Sequence, residues 1–237
     1  MLNIRMIFRR EIQSFFNTPM AYIFLVIFAI VSGYFFTNTF FLFGQSDLRV
    51  LFDIVPLVYL FFIPAVSMGL IARENNIGTM EIISTLPLNT YEFVIGKFLA
   101  ALCLILLGLV ATSVHFFTLV SVGTNVDYGA IFSGYLGLAL MGATFTSIGI
   151  YSSSVTENQV VAFIIGVFLV LIFYMLDKTL VFAPQSLVGI IQFLAIDYHL
   201  SNISRGVIDS RNLIYFFSMI GFFIYLTIQT IEVRRWK

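Results

Sequence analysis

Residues 73–97, RENNIGTMEIISTLPLNTYEFVIGK, form the most polar and best punctuated stretch of this chain. Long lipophilic runs stand on both sides of it, so it reads as a connection between two membrane spans. Its signals point to ordered helix rather than slack linker. Thr79 is placed to N-cap a short helix over 79–86, Glu81 then falls in the first turn, where the helix dipole favours an anion, and Pro87 cannot continue the helix. At helical rise that piece would be roughly 12 Å long. Asn89 and Glu92 have the spacing of a capping box, with Leu88 and Phe93 placed as the hydrophobic staple that sets the entry of the next helix.

The surroundings of this stretch decide the class. Of 237 residues 60% are hydrophobic and 10% charged, and the mean hydropathy is +1.02. A soluble domain carries about 25% charged residues, so the chain is read as an integral membrane protein. Its apolar runs are of span length and do not alternate, which predicts helices and not a barrel. Six spans are expected, at about 20–43, 54–72, 93–122, 130–151, 160–182 and 213–231. The second carries Pro56 and Pro64, tolerable if neighbours satisfy the freed carbonyls. The fourth is dense in small residues, among them Gly134, Gly137, Gly142 and Gly149, which suits close approach of another helix.

Before the first span, Ile4, Phe8, Ile12 and Phe15 recur at helical spacing, with Arg5, Arg9 and Gln13 on a neighbouring stripe. That pattern predicts a helix over 2–17 lying in the membrane interface, its basic residues toward headgroups. The apolar run after it is too long for a signal-peptide core and lacks a small-residue cleavage site, so no cleaved leader is expected. Residues 183–212 hold an apolar stretch too short to span, from Leu187 to Ile196, followed by polar sequence. A re-entrant or interfacial segment fits that length. The expected fold class is thus an all-α integral membrane protein of one transmembrane domain over 1–237. It has six spans, an interfacial helix (2–17), a polar loop with its short helix (73–92) and a re-entrant loop (183–212).

Six spans put both termini on one side, which collects Arg5, Arg9, Arg10, Arg73, Lys97, Arg234, Arg235 and Lys237. The other side receives Arg49, Lys178, Arg205 and Arg211. That asymmetry puts both termini and the 73–97 stretch in the cytoplasm.

Catalytic and metal-binding signatures are missing from the sequence. Gly96-Lys97 is followed by Phe98 and has no Gly five residues earlier, so no phosphate-cradling loop can form. Asp197 and His199 are too few to make a good metal site, and His115 and Cys103 read as packing residues in a span. The Asn202-Ile203-Ser204 sequon is a weak signal. Asp177 and Lys178 lie about 27–30 Å along the fifth helix from Gln159, near its outer end. As adjacent residues they are not expected to pair, and they read as snorkelling interfacial charges. No span carries a charge near its centre, so an ion-driven mechanism has little to work with and the chain shows no energy source of its own.

The punctuated stretch resembles the loop between the second and third spans of type-2 ABC transporter permeases. The resemblance rests on Glu74, Gly78-Thr79-Met80-Glu81, Pro87 and Gly96-Lys97. Arg9-Arg10-Glu11, Phe16-Asn17-Thr18-Pro19 and Ser204-Arg205-Gly206-Val207-Ile208-Asp209 extend it over nearly the whole chain. The short permease subunit of the bacterial gliding-motility ABC transporter is the nearest likeness within that family. The resemblance implies a multi-pass permease of a bacterial cytoplasmic (inner) membrane, driven by a separate cytoplasmic ABC ATPase that holds the ATP and Mg. It also implies a second permease subunit, identical or different, with membrane lipid as surroundings and no nucleic acid. By the same carry-over Arg73, Glu74, Gly78, Thr79, Glu81, Ile83, Leu86 and Pro87 belong to the segment that couples to the ATPase, and no catalytic or metal-binding residue is expected. A non-transporting scaffold that docks a cytoplasmic partner shares the same loop and stands as the alternative.

Overall fold

A computed structural model describes residues 2–42, 47–80, 88–124 and 126–235. Among them there is helix and no strand. The chain opens with α1 (Leu2–Asn17) and α2 (Pro19–Thr37), the latter running on through a π turn at Asn38–Leu42. Only Thr18 separates the first two, with extended backbone and a hydroxyl donating to the Phe15 carbonyl at 3.1 Å. Pro19 takes the first helical position, where its missing N–H leaves nothing unpaired. There follow α3 (Arg49–Ser67), α4 (Gly69–Ile77), α5 (Thr90–Ala111), α6 (Ser113–Val122), α7 (Tyr128–Val155) and α8 (Gln159–Thr179). After a 3₁₀ turn at Leu180–Phe182 come the short α9 (Val188–Leu194) and α10 (Ile196–Ser204), and α11 (Ser210–Arg235) is the last described helix.

Six helical stretches are long and apolar enough to cross a membrane: Pro19–Phe41, Arg49–Ile77, Thr90–Val122, Tyr128–Val155, Gln159–Phe182 and Ser210–Arg234. The expected all-α membrane fold with six spans is therefore the observed one. Two of the spans are broken within the membrane-crossing stretch. In the second, α3 gives way to α4 at Met68, four residues beyond Pro64, because a hydroxyl enters the backbone ladder. Ser153 of α7 donates to the Met68 carbonyl at 2.7 Å and accepts the Ile71 and Ala72 N–H groups at 3.0 and 2.9 Å. One side chain thus sits where the Met68–Ala72 helical bond belongs, which is a recognised cause of a helix kink. In the third span α5 yields to α6 at Thr112, whose hydroxyl donates to Leu109 O at 2.7 Å and whose carbonyl accepts the Tyr135 hydroxyl at 3.1 Å.

The helix dense in small residues, α7, is the axis of the bundle. It touches α3, α4, α5, α8, α10 and α11, and 72% of its most apolar window is buried, against 28% for the first span and 22% for the fifth. The reason is backbone proximity. A Cβ at Gly149 would run into Ser67 of α3, and one at Gly134 into the Phe52 ring. Between apolar helices in lipid, such packing supplies the attraction that hydrophobic burial gives in water. Side-chain carboxamide and carboxylate caps start α7 and α8: Asp127 accepts Gly129 and Ala130 N–H groups at 3.0 and 3.1 Å, and Asn158 accepts Val160 N–H at 2.9 Å.

The 183–212 region is two short helices folded back on the bundle. From α10, Ile196, His199, Leu200 and Ile203 are buried. His199 stacks on Tyr215 with ring centroids 3.9 Å apart, and its ring nitrogens lie 2.8 Å from Asn212 Oδ1 and 3.1 Å from the Phe193 carbonyl. His199 is a packing and hydrogen-bonding residue. His115 likewise packs face to face on Phe36, ring centroids 4.7 Å apart. The expectation that Asp177 and Lys178 do not pair with each other is corrected. Lys178 Nζ pairs with Asp197 of α10 at 2.7 Å and also reaches Asp177 at 3.7 Å. The helix geometry still keeps the two neighbours on different faces; a partner from another element draws the long lysine side chain into place.

Candidate functional site

The two helices that bound the 73–97 stretch, α4 and α5, meet α1 at one buried ammonium. Lys97, in the second turn of α5, is 1% exposed. Its Nζ lies 2.8 Å from Glu11 Oε1 of α1 and 3.0 Å from Glu74 Oε1 of α4, and stands 4.9 Å from the Phe93 ring centroid. A lone ammonium could not be held there. Two carboxylates and an aromatic face offset its desolvation in place of water. Glu74 is itself buried, and its second carboxylate oxygen has no hydrogen-bond partner among the described residues.

Sequence explains how α1 comes to supply Glu11. Its apolar stripe lies along α5, and at Gly96 the two backbones nearly touch: a Cβ there would lie 2.8 Å from Ile7 Cγ2 and 3.2 Å from the Ile4 carbonyl. Polar ties fix both ends of this contact. At one end Asn3 Nδ2 donates to Glu92 Oε2 at 2.9 Å, and at the other Lys97 reaches Glu11. The same Glu92 oxygen accepts the Asn89 N–H at 3.4 Å, so the expected capping spacing does start α5, with α1 joined to it.

On the other flank Arg73 and Glu74 are the fifth and sixth residues of α4, not loop residues as the 54–72 boundary implied. The helix continues because nothing stops it before Gly78. That glycine has φ +75°, a left-handed conformation that L side chains resist, and its N–H donates to the Asn75 carbonyl at 3.3 Å. Thr79 and Met80 are helical again, and the Thr79 hydroxyl donates back to the Glu74 carbonyl at 3.3 Å. A cavity of about 410 Å³ opens at this end of the bundle, with Arg10, Glu11, Arg73, Glu74, Thr79 and Lys97 among its lining.

Of the site residues expected from the sequence, Arg73, Glu74 and Thr79 line one cavity and Gly78 makes the turn beside it. Glu81, Ile83, Leu86 and Pro87 lie outside the described residues, as does most of the expected helix over 79–86. Asn3, Glu11 and Lys97 were not among the expected site residues. Part of the signal was present: a charge in an apolar run needs a partner, and Lys97 stands inside the apolar start of the third span, with Glu11 an opposite charge on the interfacial helix.

The family model described as "ABC-2 family transporter protein" matches residues 5–203, from α1 through α10, a range that takes in five of the six spans and all of the 73–97 stretch. No curated protein matches the chain. With six apolar helices and a family match over most of its length, the chain belongs to the ABC-2 transporter family and is a multi-pass permease component of an ABC transporter.

Proposed function

We propose that this permease is worked by a separate cytoplasmic ABC ATPase that docks on the 73–92 loop and moves the spans through it. The observation that carries the reading is the Lys97 node. Because Glu11, Glu74 and Lys97 share one buried set of contacts, a displacement of the loop acts on α1, the second span and the third span as one body. The contact would be made by Arg73, Gly78 and Thr79 together with Glu81, Ile83, Leu86 and Pro87, with Glu74 passing the movement inward. ATP and Mg would be bound by the ATPase alone. The eight-to-four distribution of Lys and Arg supports both termini being cytoplasmic, and the family likeness supports a bacterial inner membrane as the location.

The second permease subunit of the complex, identical or different, would cover the face formed by α2, α3 and α8. Tyr22, Val26 and Ile30 of α2, Leu57 and Phe61 of α3, and Ile164 and Phe168 of α8 are all exposed large apolar residues, and α3 packs against both other helices. Within the family, the motif likeness supports a short permease of the gliding-motility type.

The test is a crosslinked pull-down of tagged protein from native membranes, with bound chains identified by mass spectrometry. An ABC ATPase should be recovered, and lost when Glu81→Ala is combined with a proline inserted in 79–86. Transport-linked ATP hydrolysis should uncouple in the same variants while membrane insertion stays normal. Unchanged recovery and unchanged hydrolysis would overturn the reading and favour a scaffold that docks some other partner.

A further inference from the structure

We propose that α1 and α5 together form a binding site for one anionic phospholipid of the leaflet in which α1 lies. The site stands apart from the transport reading. Beside the close crossing at Gly96 the two helices line an open groove of about 530 Å³. Ile4 and Phe8 of α1 form one wall; Leu99, Leu102 and Leu106 of α5 form the other. The α5 wall has i, i+3, i+7 spacing, a single stripe running about 10 Å into the membrane at helical rise. Leu99 and Leu106 are 39% and 37% exposed, so the stripe faces out of the bundle.

The one charged residue in the lining is Arg5. It is exposed, and no carboxylate pairs with it among the described residues. The arrangement therefore has an apolar slot for an acyl chain and an uncompensated guanidinium at its rim. A guanidinium binds phosphate through paired N–H donors. A zwitterionic lipid brings its own cation and gains less from Arg5 than a lipid with net negative charge. A free phosphate would leave the slot unfilled, which is why the occupant is a lipid. Arg9 is exposed on the same helix but does not line the groove, and it provides the control for general attraction to a negative surface.

The experiment is native mass spectrometry of the full chain, with the subunits that copurify, after extraction from nanodiscs of equal parts phosphatidylcholine and phosphatidylglycerol. One phosphatidylglycerol should be retained in preference to phosphatidylcholine, and Arg5→Gln should lower that preference about fivefold. Arg9→Gln should leave the preference near wild type. Leu102→Trp, which fills the slot, should remove bound lipid of either kind. Equal effects of Arg5→Gln and Arg9→Gln would overturn the site in favour of diffuse surface attraction. Retention of neither lipid, with crosslinks from residue 106 to another membrane chain, would overturn it in favour of a partner helix.

Discussion

Lys97 Nζ lies 3.0 Å from Glu74 Oε1, so the two ends of the 73–97 stretch are held to each other inside the protein. Glu11 completes the node from a third helix at 2.8 Å. Lys97→Met keeps the volume and removes the charge, leaving two carboxylates facing each other in a buried place. Breaking such a set by deleting one partner costs about 3–5 kcal/mol, and detergent-solubilised protein should unfold at markedly lower temperature. Adding Glu74→Gln should recover part of the loss. If the two substitutions simply added, the ionic account of the node would be wrong.

Ser153 holds the kink in the second span with three hydrogen bonds of 2.7–3.0 Å, all within the bundle. Ser153→Ala leaves the Met68 carbonyl and the Ile71 and Ala72 N–H groups to re-pair. A destabilisation of about 1–3 kcal/mol is expected, readable as a drop in midpoint of thermal unfolding. Wild-type stability would mean that α3 and α4 straighten into one helix at no loss.

Gly149 and Ser67 occupy the same small space between α7 and α3. Gly149→Ala should cost about 1–3 kcal/mol, as overpacking does. Ser67→Gly in the same chain should relieve most of it. The measurement is a double-mutant cycle on stability, and the expectation is strong non-additivity.

The Lys178–Asp197 pair makes the opposite case. Its bond is short at 2.7 Å, yet the lysine side chain is 57% exposed. Exposed ion pairs contribute about 0–1 kcal/mol, so Asp197→Asn should change thermal stability little. A loss as large as that of Lys97→Met would show that α10 depends on this contact for its docking.

The spans were legible because twenty-odd apolar residues in a row admit one interpretation, and Gly and Pro mark their neighbourhoods plainly. The capping residues of α5 were legible for a local reason: Asn89 and Glu92 act within one turn. What could not be read was lateral. Ser153 is 85 residues from Met68, and nothing in the local pattern of either says that one will enter the other's backbone ladder. Lys97 was seen as half of a motif, while its partners are 86 and 23 residues away. The end of α4 was set too early because Arg73 and Glu74 look like loop residues when counted by polarity. In the fold they are the last turns of a helix, one exposed and one buried.

The position of α7 bears on the order in which the chain is assembled. It is the fourth of six spans, and its neighbours come from both earlier and later sequence: α3, α4 and α5 before it, α8, α10 and α11 after. During synthesis the second and third spans therefore enter the bilayer without the helix they pack around, held mainly by their own contacts and those with the first span. Gly149 and Ser153 reach their places against Ser67 and Met68 only when most of the protein has been made. A damaged α7 would therefore be registered late, when the second and third spans are already in the bilayer and the fifth and sixth have still to pack against it.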